Sequence, residues 1–246
     1  MANPALRANR VSDIARASNG EEAMSYAGVL RALAIMFVLG IGAGGVAWHY
    51  TKIKVDGTMS AGAGEALLVA ILAAFVVGMV LIFKPRLAQG LGIVYALLEG
   101  AGIGVISKIY ETQSHGIVGE ALGVSLGVAG VVWFLYATRI IKVTAKVTRV
   151  ILYATMGACA FYMISLVSIM LGGPNLDGSG GVVGVGISLV LALVAASTFL
   201  TDWAQIDALI SEGAEASYNW YGAFSLVLSF VWLYLEVLRI LSKIKK

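Results

Sequence analysis

Charge is what this chain has least of. Only 13% of its 246 residues are Asp, Glu, Lys or Arg, where soluble globular domains carry roughly a quarter. Cysteine is nearly absent. The lone Cys159 excludes an intrachain disulfide and reads as a small apolar packing residue. None of the three prolines, Pro4, Pro85 and Pro174, falls inside an apolar run, so helices have little reason to break. The two histidines, His49 and His115, form no zinc-site pattern. What the chain holds instead is apolar surface: 59% of residues are hydrophobic and the mean hydropathy is +0.90. That balance defines an integral membrane protein.

A bilayer core needs about 20 mostly apolar helical residues per crossing. Seven runs qualify, at about 30–50, 66–83, 91–107, 117–137, 150–172, 181–201 and 218–241. They are continuously apolar and lack the in–out alternation of membrane strands, which excludes a barrel. The expected fold class is all-α: a polytopic bundle of seven transmembrane helices over residues 28–242, with a polar cytoplasmic tail at 1–27 and a short basic tail at 243–246. The tail is long for the charged head of a cleavable signal, and the run behind it is too long for a signal core. Gly92, Ala96, Gly100 and Gly104 recur every fourth residue in the third span, as do Gly119, Gly123 and Gly127 in the fourth. Such stripes let helix backbones approach closely.

Lys and Arg near span ends set orientation. Arg7, Arg10, Arg16 and Arg31 at the start, Lys84 and Arg86, then Arg139, Lys142, Lys146 and Arg149 alternate with poorer loops holding Lys52, Lys54 and Lys108. An N-terminus in the cytoplasm follows. The end of the chain breaks the pattern, since seven crossings put Arg239, Lys243, Lys245 and Lys246 outside; a last segment that does not cross in the ordinary way is the alternative. The net charge of +3 is spent on these loops and gives no reason to expect nucleic acid. The expected partners are the lipid bilayer and other membrane proteins.

Several motifs carry no chemistry. GIGAGG at 40–45 fits a dinucleotide fingerprint but lies inside a span rather than between a strand and a helix. His49, between Trp48 and Tyr50 at a span end, fits the interfacial aromatic belt. No H-E-x-x-H or G-x-S-x-G pattern occurs, so no enzyme and no cofactor are expected. A retinal protein would need a lysine in mid-span, and the last span has none before Lys243.

The acids at or within the spans remain, and an intramembrane ionisable group is a functional candidate by default. Glu120 also fits the anion preference of a helix N-terminus. Asp202 and Asp207 also fit a solvated end of the sixth span. Glu236 has Arg239 three residues on, on the same helical face, so an ion pair is the plainer reading. Glu99 lies mid-span beside the small-residue stripe with no basic residue nearer than Lys108. It is either a lining of a pathway or a protonated acid bonded to a neighbouring helix.

YALLEGAGIGVIS at 95–107, WFLYATRIIKVT at 133–144, LTDWAQID at 200–207 and YLEVLRIL at 234–241 together resemble the Bax-inhibitor family, and most of all a bacterial branch of it. The likeness runs over about residues 28–242. It implies seven helices, a pH-sensitive calcium leak, control of cell death or stress, and residence in the bacterial plasma membrane. The resemblance also implies a pair of aspartates, one at the end of the sixth helix in an Asp-Thr-Gln context and one in the seventh. Asp202, followed by Trp203, Ala204 and Gln205, stands at the first position, and Glu236, a Glu for an Asp, at the second. The family's basic latch on the second helix has no counterpart, since 66–83 holds no charge. Two carboxylates within hydrogen-bonding reach in a poorly hydrated bundle share one proton. The expectation is therefore a gate at Asp202 and Glu236 that offers oxygen ligands to a passing Ca2+, with Glu99 and Asp207 as further acids. The alternatives are a non-conducting regulator of another membrane protein, such as a quality-control protease, and a proton-coupled transporter of a small solute.

Overall fold

The computed structural model describes residues 23–52, 61–174, 176 and 181–245. Seven helices are long and apolar enough to cross a membrane: α1 Tyr26–Tyr50, α2 Ala61–Phe83, α3 Ala88–Gln113, α4 Ile117–Ala137, α5 Ala145–Met170, α6 Gly181–Ser211 and α7 Tyr218–Ile244. A single 3-10 turn, Pro85–Leu87, joins α2 to α3. The molecule is an integral membrane protein of the all-helical, multi-pass kind.

Local signals explain most boundaries. Ser25 caps α1 by accepting from the Gly28 N–H at 3.0 Å, and Thr144 caps α5 through Val147 N–H at 3.3 Å. Gly172 and Gly213 end α5 and α6 with φ of 77° and 73°. Each is followed by an N–H that reaches back five residues, Gly173 to Ser168 and Ala214 to Leu209, the glycine-stop geometry that satisfies the last carbonyls. The α3–α4 turn needs Gly116 at φ 83°. There the Glu111 carboxylate accepts the N–H groups of Gly116 and Val118 at 2.6 and 3.2 Å, so a side chain missed in the sequence starts α4.

The bundle is two groups of three helices clasped by a seventh. α3 packs against α1 and α2, while α6 packs against α4 and α5; α7 lies against α1, α3, α4 and α6. It is accordingly buried on nearly all sides, Phe224, Leu233, Glu236 and Leu238 being almost wholly enclosed. Aromatic edges such as Phe37 on Phe230, 5.0 Å between ring centres, fill the seam.

The two glycine stripes have different fates. On α3 the expected packing occurs. A Cβ at Gly100 would lie 2.2 Å from the Gly40 carbonyl oxygen, and one at Gly104 2.2 Å from that of Gly44. GIGAGG is thus the other half of this backbone-to-backbone seam. On α4, a Cβ at Gly119, Gly123 or Gly127 would meet nothing within 4 Å; the helix turns Ile117, Ala121 and Ser125 inward instead. Among the described residues the stripe packs on no helix.

One further expectation is corrected. α6 does not stop at 201 but runs ten residues on, since Trp203 and Ile206 remain buried and continue its inward face. Asp202 and Asp207 therefore lie inside a helix rather than at its end. At the end of the tail, Met24 is buried, its N–H bonds the Ala214 carbonyl at 2.8 Å, and Ser25 N–H bonds Asn219 at 3.0 Å. Arg7, Arg10, Arg16, Lys54 and Lys246 lie outside the described residues. The C-terminal segment crosses in the ordinary way. Lys243 donates to Gly184 O and Ser188 Oγ at the start of α6, at 3.1 and 2.8 Å, and Lys245 pairs with Glu120 at the start of α4, at 2.8 Å. Met24 and Lys245 thus lie at opposite ends of the bundle. Of the cations that break the loop pattern, Arg239, Lys243 and Lys245 are bound by the protein's own groups.

Candidate functional site

Three carboxylate settings lie along α6 and α7, and the sequence names the acids but not their partners. Asp202 accepts from Ser229 Oγ of α7 at 2.5 Å, and Thr198 Oγ1, one turn earlier on α6, reaches Ser229 Oγ at 2.8 Å. Glu236 is wholly buried; Arg239 of the same helix lies 2.9 Å away and is itself only 24% exposed. Trp232 Nε1, one turn back, donates to the same carboxylate oxygen at 3.1 Å. The Tyr162 hydroxyl of α5 also donates to it, accepts from Arg239 Nη1 at 2.7 Å, and holds its ring 5.0 Å beneath the guanidinium. The ion pair expected of Arg239 is present, and cation–π stacking orients it.

The two acids do not form one proton-sharing contact. Asp202 is tied to Ser229, which precedes Glu236 by seven residues, about 10 Å along the helix axis. The register of the antiparallel pair sets Ser229, rather than Glu236, opposite Asp202. A Ca2+ ion held jointly by Asp202 and Glu236 falls with the pair. Among the described residues no group of three or more His, Cys, Asp or Glu side chains converges as a metal site would require.

Asp207, five residues nearer the end of α6, is bonded by the hydroxyls of Tyr26 in α1 and Tyr136 in α4, the latter at 2.5 Å. One carboxylate thus ties both helix groups together at the N-terminal end. The expected outcome of Tyr136→Phe is a loss of about 1–2 kcal/mol, a hydrogen bond to a charged group, read as a lower midpoint in reversible mixed-micelle unfolding. Tyr26→Phe should match it, and Asp207→Asn should cost less than the two tyrosine changes together.

Glu99 faces a cavity of about 410 Å³ enclosed by α1, α3, α4 and α7. Phe37, Trp48, Phe230 and Tyr234 are among its walls. Glu120, on the surface at the first turn of α4, takes the role a helix N-terminus favours. The partners Tyr162, Trp232, Ser229, Tyr26 and Tyr136 escaped the sequence reading. Only Trp232 carried a signal, at four residues before Glu236.

Seven antiparallel helices with carboxylates buried between the last two define a polytopic membrane protein with an intramembrane acidic site. Residues 3–246 match the family described as Bax inhibitor 1 like, and the chain belongs to that family. No curated protein matches it closely enough to count as a relative.

Proposed function

We infer that the protein is a pH-responsive cation leak, calcium foremost, in which Asp202 and Glu236 act as two separate latches on α7. The observation that carries this reading is Glu236, wholly buried yet ion-paired with Arg239, on the helix that touches both helix groups. Neutralising Glu236 by protonation removes the charge that holds Arg239 and weakens the link to Tyr162 on α5. At Asp202 the change is one of direction. The ionised group accepts from Ser229; the protonated one would donate to it, and Ser229 would then give its hydrogen to Thr198, since a hydroxyl has a single proton to donate. Either event alters a helix–helix contact, the kind of local change that biases a two-state bundle. The scarcity of oxygen ligands suits an ion that passes rather than one that stays.

The N-terminal end belongs on the cytoplasmic side of a bacterial plasma membrane in this reading. Lys84, Arg86, Arg139, Lys142, Lys146 and Arg149 gather at that end, while Lys108 at the other is occupied by the Trp48 and Thr51 carbonyls at 2.7 and 2.5 Å.

Calcium flux into proteoliposomes, measured against pH, tests it. The wild type should conduct in a pH-dependent way, Glu236→Gln should flatten one part of the profile, Asp202→Asn another, and the double variant both. A wild type that passes no calcium at any pH ends the leak reading. The exposed glycine face of α4 favours a regulator that contacts another membrane protein as the second reading. Cross-linking of such a partner in cells, together with silent flux, would establish it; saturable flux of an organic solute would point to a transporter.

A further inference from the structure

Glu99 lies midway along α3, eleven residues from its start and fourteen from its end, or about 16 and 21 Å. It has no hydrogen-bond or ion-pair partner among the described residues. The one cation on α3, Lys108, is nine residues away and bonded to the end of α1. A lone carboxylate at mid-membrane is costly unless something neutralises it, and here its side chain opens into a cavity rather than onto another helix.

The cavity narrows what that something is. Its volume of about 410 Å³ lies in the range of small-molecule sites. Four of its walls are aromatic, Phe37, Trp48, Phe230 and Tyr234, and aromatic faces attract organic cations. Of the other polar groups there, the hydroxyls of Ser107 and Tyr234 bond each other at 2.7 Å. One carboxylate is far from the six to eight oxygens a bare calcium ion takes, so a hard metal ion is a poor occupant. The mouth lies between α1 and α4, where Ile41 and Leu122 are 72% and 41% exposed, and faces the lipid. From Glu99 to Ser107 the cavity follows α3 for about 12 Å, room for an alkyl chain beside an ammonium head.

We propose that this cavity binds a lipophilic organic cation, an alkylammonium whose head pairs with Glu99 among the aromatic walls and whose tail enters from the lipid side. Charge and shape select it: a neutral amphiphile leaves the carboxylate without a counter-charge, and an anion is repelled. Occupancy needs no open pathway, so a protein that conducts nothing would still bind.

The test uses the full chain in phosphatidylcholine nanodiscs and radiolabelled decyltrimethylammonium in equilibrium dialysis, with empty nanodiscs subtracted. The wild type should bind it saturably at one site. The neutral carbon isostere, with a tert-butyl head, should bind about tenfold more weakly or worse, as should Glu99→Gln towards the cation. Leu122→Trp, placed at the exposed mouth where it does not disturb the interior, should abolish binding while leaving the unfolding midpoint unchanged. Equal binding of cation and isostere would show a groove filled by lipid chains and overturn the proposal. So would wild-type affinity in Glu99→Gln, or no saturable binding at all.

Discussion

Arg239→Met should lower the stability of the bundle by about 3–5 kcal/mol, the cost of breaking a buried ion pair from one side. The change keeps most of the side chain's volume and removes the guanidinium 2.9 Å from a wholly buried carboxylate. Tyr162 then loses the group that donates to its hydroxyl at 2.7 Å and the cation stacked on its ring. Glu236→Gln should be milder, since an amide can still accept from Trp232 and Tyr162. The double variant Glu236→Gln with Arg239→Met should recover much of the loss. A cycle of the four proteins in reversible mixed-micelle unfolding isolates the coupling, which should be at least about 1 kcal/mol. Additive losses would mean that the pair contributes nothing beyond packing, and Glu236 would then be a weak candidate for any latch.

The second large effect falls on the α1–α3 seam. Inside lipid no hydrophobic force drives two apolar helices together, so their association rests on close packing. Gly100→Leu places its Cβ 2.2 Å from the Gly40 carbonyl oxygen, a backbone atom that cannot rotate away. The helices must separate along the stripe, and the loss should exceed the 1–3 kcal/mol typical of overpacking. Gly123→Leu on α4 adds the same side chain where nothing lies within 4 Å, and stability should move by no more than about 1 kcal/mol. If both variants behaved alike, the distinction between the two stripes would be wrong.

That contrast shows where sequence reasoning reaches its limit. Span number, helical class and the acids worth attention are all carried by local features: apolar run length, small-residue spacing, charges where charge is expensive. The stripe on α3 and the stripe on α4 look alike in one dimension, and only the third decides which meets a neighbour. The same holds for Asp202. Its setting depends on which residue of α7 stands opposite it, Ser229 rather than Glu236, and that register is a tertiary matter. Arg239 was legible because its partner is three residues away on one helix. Tyr162, 74 residues from Glu236, left no trace, nor did Tyr26, 181 residues from Asp207. The cavity at Glu99 is a property of four helices at once.

The clasping position of α7 has a consequence for biogenesis. Helices enter a membrane in the order in which the ribosome makes them, and here the element that holds the two trios together is synthesised last. Until residues 218–244 leave the exit tunnel, the two halves of the first six spans can meet only through the Tyr26–Asp207 link and a short α3–α4 contact, each displaying an unfilled face to the lipid. Nascent chains arrested before that point should therefore be prone to capture by chaperones and to proteolysis, and completion of the protein should coincide with its assembly.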